Sequence, residues 1–100
     1  MWNHNYFTYI TTNPRKTVFY VSMTNDLERR LVEHRENRGK PKTFAGKYYC
    51  YKLVYYVRHA NVNHAIEREK EIKLMSKETK EQLIKNENPY LLEIKLLIDL

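Results

Sequence analysis

One hundred residues with a formal net charge of +6 and a single cysteine, Cys50, describe a small basic domain. A chain of this length forms one domain, residues 1–100, around a single core. The lone cysteine excludes an intramolecular disulfide framework, and with only four histidines it excludes a Cys-based zinc site. The N-terminus has no charged-then-apolar signal pattern and no apolar run reaches membrane-spanning length, so the expected location is cytoplasmic. The positive balance favours polyanions, nucleic acid before anionic membrane. Nine tyrosines interleave with Lys and Arg, offering rings to bases and hydroxyls to phosphates, although aromatics also suit β-structure for its own sake.

In chain order, Tyr6 to Thr12 (YFTYITT) is β-prone and predicts the first strand. Asn13-Pro14-Arg15-Lys16 is a polar turn, and Thr17 to Val21 predicts a second strand paired antiparallel with the first. A helix is predicted from Asn25 to Asn37, with Asn25 as N-cap and Glu28 completing a capping box. Leu27, Arg30, Leu31 and His34 recur at helical spacing and share one face. Two leucines there are ordinary. The arginine and histidine beside them predict either a snorkelling cation with a half-buried imidazole or a polar site next to the tyrosine-bearing strand. Gly39 and Pro41 mark the helix end.

Thr43 to Tyr49 predicts a loop or short helical turn. It carries Lys47 beside Phe44, Tyr48 and Tyr49, and Lys40 and Lys42 stand just before it. Cations for phosphate and rings for stacking make Lys40, Lys42, Lys47 and Tyr48 the candidate nucleic-acid-binding residues. Tyr51 to Arg58 (YKLVYYVR) predicts a third strand, and its almost unbroken apolar character predicts a central position. Asn63 is the predicted cap of a helix reaching about Met75, and Ser76 that of another reaching about Lys85, with Pro89 closing the region. The apolar tail, Tyr90 to Leu100, is expected to complete the core as helix or strand rather than to serve as an oligomer contact.

The helix after the third strand carries an anomaly. Val62, Ala65, Ile66 and Ile72 define its apolar arc, and at about 100° per residue Glu69 projects into the middle of it. A carboxylate on a buried side is costly unless it is paired or holds a cation. Either Glu69 forms an ion pair with Arg30 or a lysine, or it is a hard oxygen ligand for Mg²⁺ or Mn²⁺.

The order of a tyrosine strand, a second tyrosine strand, a helix with Arg and His and a later helix with an inward Glu resembles the GIY-YIG nuclease superfamily. In particular it resembles small single-domain bacterial members related to excision-repair nuclease N-terminal domains. Thr8-Tyr9-Ile10 stands for the first signature tripeptide and Tyr20-Val21-Ser22 for the second; TNDLERRL, His34, FAGKYYCYKLVYY, AIEREKEIK and ENP extend the match over nearly the whole chain. The sequence departs from the pattern at Ser22, where a glycine is usual, at Met23, and after Pro89.

The resemblance implies an α+β fold, a small three-stranded antiparallel sheet flanked by helices. It also implies a divalent-metal-dependent endonuclease that hydrolyses phosphodiester bonds in DNA, with a place in DNA repair or recombination. Its implied catalytic residues are Tyr9, Tyr20, Arg30, His34 and Glu69. The tyrosines flank the phosphate, Arg30 stabilises phosphoryl charge, and His34 carries a proton or contacts phosphate. Glu69 binds a single Mg²⁺ or Mn²⁺. The alternatives are a nucleic-acid-binding module of the same fold with catalysis weakened at Ser22, and a structural protein that associates through its tail.

Overall fold

The computed structural model describes residues 5–96. Its elements are β1 (Tyr6–Thr12), β2 (Phe19–Thr24), α1 (Leu27–Glu36), α2 (Phe44–Lys47), β3 (Lys52–His59), α3 (Val62–Lys73) and α4 (Lys77–Glu87). The three strands form one antiparallel sheet in the order β2-β1-β3. No helix among the described residues is long and apolar enough to cross a membrane.

The central strand is therefore β1, where the sequence predicts β3. From Thr8 to Thr12 every residue of β1 is at most 1% exposed, whereas Tyr56 and Arg58 leave β3 open to solvent. The three threonines hide this from a hydropathy pattern. Two of their hydroxyls are satisfied internally, Thr8 donating to the Ala65 carbonyl at 2.9 Å and Thr12 to that of Val18 at 2.7 Å. A hydroxyl so paired can be buried at little cost, and its β-branched stem suits a strand.

The β1–β2 hairpin forms as expected, but β2 begins at Phe19 rather than Thr17. The Asn13 side chain takes the amide protons of Thr17 and Val18, so those residues turn instead of pairing. At its other end β2 runs on to Thr24, whose hydroxyl accepts from the Asp26 amide at 3.0 Å. This moves the cap of α1 one residue along: Asp26, not Asn25, accepts from the Arg29 amide. Likewise Asn61, not Asn63, caps α3, while Ser76 caps α4 as predicted.

Strand register sorts the side chains into two layers. Directly paired residues share a face, and Ile10 opposite Val21 points to the layer of α3 and α4, clustering with Ile72 and Ile84. Tyr9, opposite Ser22, points the other way, to Leu27 and Leu31 of α1 and to Leu53, Ile94 and Leu96. The tail thus completes the core, but without regular structure through Leu96. Leu91 is buried in a left-handed backbone conformation, and the Ile94 amide donates to the Leu53 carbonyl at 2.7 Å. The rest of the predicted tail, residues 97–100, lies outside the described residues.

Gly39 ends the α1 region at φ +82°, as its position predicts. Gly46 has a different task. A Cβ there would lie 2.5 Å from the Lys40 carbonyl oxygen and 2.7 Å from that of Asn37, so only glycine lets α2 seat against the end of α1. Gly46→Ala is expected to destabilise the fold by about 1–3 kcal/mol, as overpacking does. Circular dichroism melts should show the midpoint falling by ~4–8 °C for each kcal/mol. An unchanged midpoint would show that this junction yields freely.

Candidate active site

The face of α1 that meets the sheet is the one the spacing predicts. Leu27 and His34 are buried, and Arg30 and Leu31 lie between them half-buried. At the centre the Tyr9 hydroxyl and His34 Nε2 are 2.8 Å apart, a hydrogen bond between β1 and α1 that is wholly buried. The Tyr20 ring meets the same imidazole edge-on at 5.4 Å between centroids. Tyr9 is 0% exposed, whereas Tyr20, on the edge strand, is only partly covered.

Arg30 supplies the charge. Its guanidinium donates to Glu33 at 2.9 Å, one turn along α1. Burial works against the charge of Arg30, but the hydrogen bond to Glu33 and the facing phenols of Tyr9 and Tyr20 outweigh it and raise its pKa further. Burial also holds the Tyr9 phenol above its usual value, a shift only partly offset by the Arg30 charge and by hydrogen bonding to Arg30 and Ser22. Tyr9 therefore remains a phenol at neutral pH.

The same surroundings act on His34, which the resemblance implies as a proton carrier or phosphate contact. Burial first, and the Arg30 cation second, push it down to about 4 despite the opposing charge of Glu33. His34 is neutral at pH 7, so it is not a phosphate-binding cation there. One proton bridges the Tyr9 oxygen and Nε2 of the neutral His34.

Ser22 stands directly across from Tyr9 in the strand register. Its side chain therefore shares the face of the sheet that carries the phenol, and takes up space there that a glycine would leave open.

The structure brings Tyr9, Tyr20, Arg30 and His34 together and carries Glu69 separately, on α3. Ala65, Glu69 and Ile72 share the sheet-facing side of that helix, in the layer opposite Tyr9. Of the two pairings expected for Glu69, the lysine is realised: Lys73 Nζ lies 3.6 Å from it, while Arg30 pairs with Glu33. The contact is long and the Glu69 side chain keeps 19% of its exposure, so the carboxylate is not locked away. Among the described residues no three His, Cys, Asp or Glu side chains gather into a metal cage. A single carboxylate nonetheless fits a small hard cation, which completes its shell with water and substrate phosphate.

The candidate nucleic-acid residues lie on α2 and the loops beside it. Lys40, Lys42, Lys47 and Tyr48 are all exposed. Thr43 caps α2 and accepts from the Gly46 amide, and the buried Ala45 and Gly46 turn Phe44, Lys47 and Tyr48 outward. Phe44 lies near-parallel to Tyr20, with ring centroids 6.2 Å apart, and so connects this loop to the tyrosine cluster. Tyr49 has another role: its ring covers Gly39. Cys50 is buried, and its thiol is pushed up to about 11 by that burial, so it offers no thiolate.

The architecture is thus a three-stranded sheet whose first two strands each place a tyrosine beside an arginine- and histidine-bearing helix. The chain matches the GIY-YIG catalytic domain over residues 5–87 and belongs to that family, whose members are generally endonucleases. It is also similar to the solution NMR structure of the UPF0213 protein BH0048 from Bacillus halodurans, with a TM-score of 0.54 and 26% identity. The similarity covers 86% of this chain and 88% of that one. No curated protein matches the chain.

His34 gives the site a pH signature. Its pKa is about 4 when folded against an ordinary 6.5, so the unfolded chain takes up the proton first as pH falls. This contribution to stability is intact above pH ~6.5 and is lost progressively down to pH ~4, by up to ~3 kcal/mol in all. Urea unfolding between pH 7 and 4 should show a decline that His34→Gln lacks. Parallel slopes for the two proteins would mean that the imidazole is not held neutral.

Proposed function

We propose that the protein is a divalent-metal-dependent endonuclease that hydrolyses phosphodiester bonds in DNA. The observation that supports this most is the convergence of Tyr9, Tyr20, Arg30 and His34 on the α1 side of the sheet, with the Arg30 guanidinium partly exposed beside them and held by Glu33. A phosphodiester transition state spreads negative charge over several oxygens, and a fixed planar guanidinium is suited to meet it. Arg30 binds the non-bridging oxygens in this reading. Tyr20, the more open of the two phenols, touches the phosphate or the attacking water. Tyr9 and His34 act through their neighbours: their buried hydrogen bond holds α1 against β1 and so positions Arg30, one turn before His34 on the same face.

Glu69 would hold the single Mg²⁺ or Mn²⁺, reaching the substrate around the β2 edge from the α3 layer. The ion, when bound, polarises a phosphoryl oxygen and neutralises charge at the leaving oxygen. Lys40, Lys42 and Lys47 receive the flanking backbone, whose contacts must weaken with salt. A role in DNA repair or recombination within the cytoplasm belongs to the same proposal.

The test is cleavage of plain duplex, flap and junction DNA with Mg²⁺ or Mn²⁺. Arg30→Ala should lower the rate by about 10²–10³, the usual loss when one charge-stabilising donor is removed. Glu69→Gln should abolish metal-stimulated cleavage and leave DNA binding within about threefold, because the substrate is held mainly by phosphate contacts elsewhere. Equal nicking by Glu69→Gln and the parent would end the metal-nuclease reading.

A second reading, a binding module with weakened catalysis, is favoured by Ser22 alone, because its side chain occupies space beside Tyr9 that a glycine would leave open. Ser22→Gly decides between them. A higher turnover supports the weakened module, and an unchanged or lower one shows that the serine is not the obstruction.

A further inference from the structure

The tyrosine cluster does not end at the phosphate-facing edge. From His34 the rings continue outward through Tyr20 to Phe44 at 6.2 Å and from Phe44 to Tyr48 at 4.7 Å, and Lys47 Nζ lies 5.3 Å from the Tyr48 ring centre. Phe44 is 51% exposed and Tyr48 40%, although both stand on a segment that is firmly held. Besides the Thr43 cap, the Cys50 amide donates to the Ala45 carbonyl and the Gly39 amide to that of Gly46, each at 2.8 Å. A phenylalanine contributes most to a fold when buried, and this one presents half its surface to water on a rigid turn.

We propose that Phe44, backed by Tyr20 and Tyr48, is a stacking platform for an unpaired base next to the phosphate that the site cleaves. The substrate class is then single-stranded or locally unpaired nucleic acid. The inference rests on the nuclease reading and narrows it. A base inside an intact duplex has both faces covered by its neighbours, so a protruding ring can stack only on a base that is free or has been turned out. Charge complementarity favours a nucleotide over an apolar peptide as occupant. Lys47 flanks the platform, and Lys40 and Lys42 are exposed on the loop that precedes it. Every base offers a π-face, so the platform sets a preference for strandedness and none for sequence.

The experiment measures binding of the full chain to three labelled oligonucleotides in chelator: a single strand, its fully paired duplex, and that duplex with an internal unpaired stretch. The parent should prefer the single strand and the unpaired stretch. Phe44→Ala should weaken those two by about 5- to 100-fold and the duplex by less than about twofold, the range expected for one lost base–ring stack. Phe44→Leu, which keeps apolar bulk without a ring, should lose as much as Phe44→Ala, and Phe44→Trp should bind like the parent. Unchanged melting midpoints for all three variants confirm that the fold is intact.

Equal losses on duplex and single strand, no loss on either, or parent-like binding by Phe44→Leu would each overturn the platform. If the parent cleaves DNA and Phe44→Ala matches it on all three substrates, the platform falls and the nuclease reading stands. If no oligonucleotide binds at all, both fall.

Discussion

The buried hydrogen bond between Tyr9 and His34 is the contact on which the site depends. It joins the central strand to α1 where neither group can reach water, so losing either partner strands the other. It also fixes the rotation of α1 about its axis. With His34 pointing at the sheet, Arg30 four residues earlier comes to the same face but one turn nearer the edge, partly exposed. A helix turned away from this position would bury the guanidinium or swing it into solvent. The pairing thus converts an ordinary amphipathic helix into a device for presenting one cation.

The layers on the two sides of the sheet then divide the chemistry. The α1 side holds the phenols, the imidazole and the guanidinium; the α3 side holds the carboxylate. Between them lies β2, an edge strand with one side unpaired within the sheet. Ser22 and Tyr20 are on this strand, so the strand's outer edge is the natural meeting place for groups from both layers. A glycine there would give a substrate phosphate closer access to the backbone. Serine instead places a side chain beside Tyr9 on the same face and fills part of that access.

Much of this was legible before any coordinates. The β-prone runs on either side of the Asn13–Lys16 turn give the hairpin, and the i, i+3, i+4, i+7 spacing gives the sheet-facing side of α1. What failed did so for identifiable reasons. Threonine is polar on any hydropathy scale, so β1 looked less central than the aromatic β3. Capping residues compete, and a threonine hydroxyl bonded to the Asp26 amide moved the start of α1 by one position. Spacing places His34 on the right face but carries no measure of how deeply it is buried or how near Arg30 lies, and those two quantities set its charge. The rings of the basic loop, Phe44 among them, were legible as candidates for stacking. Which of them faces outward follows only from the burial of Ala45 and Gly46.

The electrostatic balance of the cluster bears on which group can handle a proton. Tyr9 is held as a phenol by burial, and His34 is held unprotonated by burial and by Arg30, so neither gains from exchanging the proton they share. A transfer from Tyr9 to His34 would create an imidazolium beside a guanidinium, with two cations competing for one phenolate in a buried space. The pair is consequently better as scaffolding than as a relay. In the proposed hydrolysis, proton movement then falls to groups at the solvent-facing edge, where Tyr20 is only partly covered and its ring borders both His34 and Phe44. The buried half of the cluster positions charge, and the open half is the part that a substrate would reach. That division explains why a single face of α1 carries both a histidine with almost no access to water and an arginine that keeps part of its own.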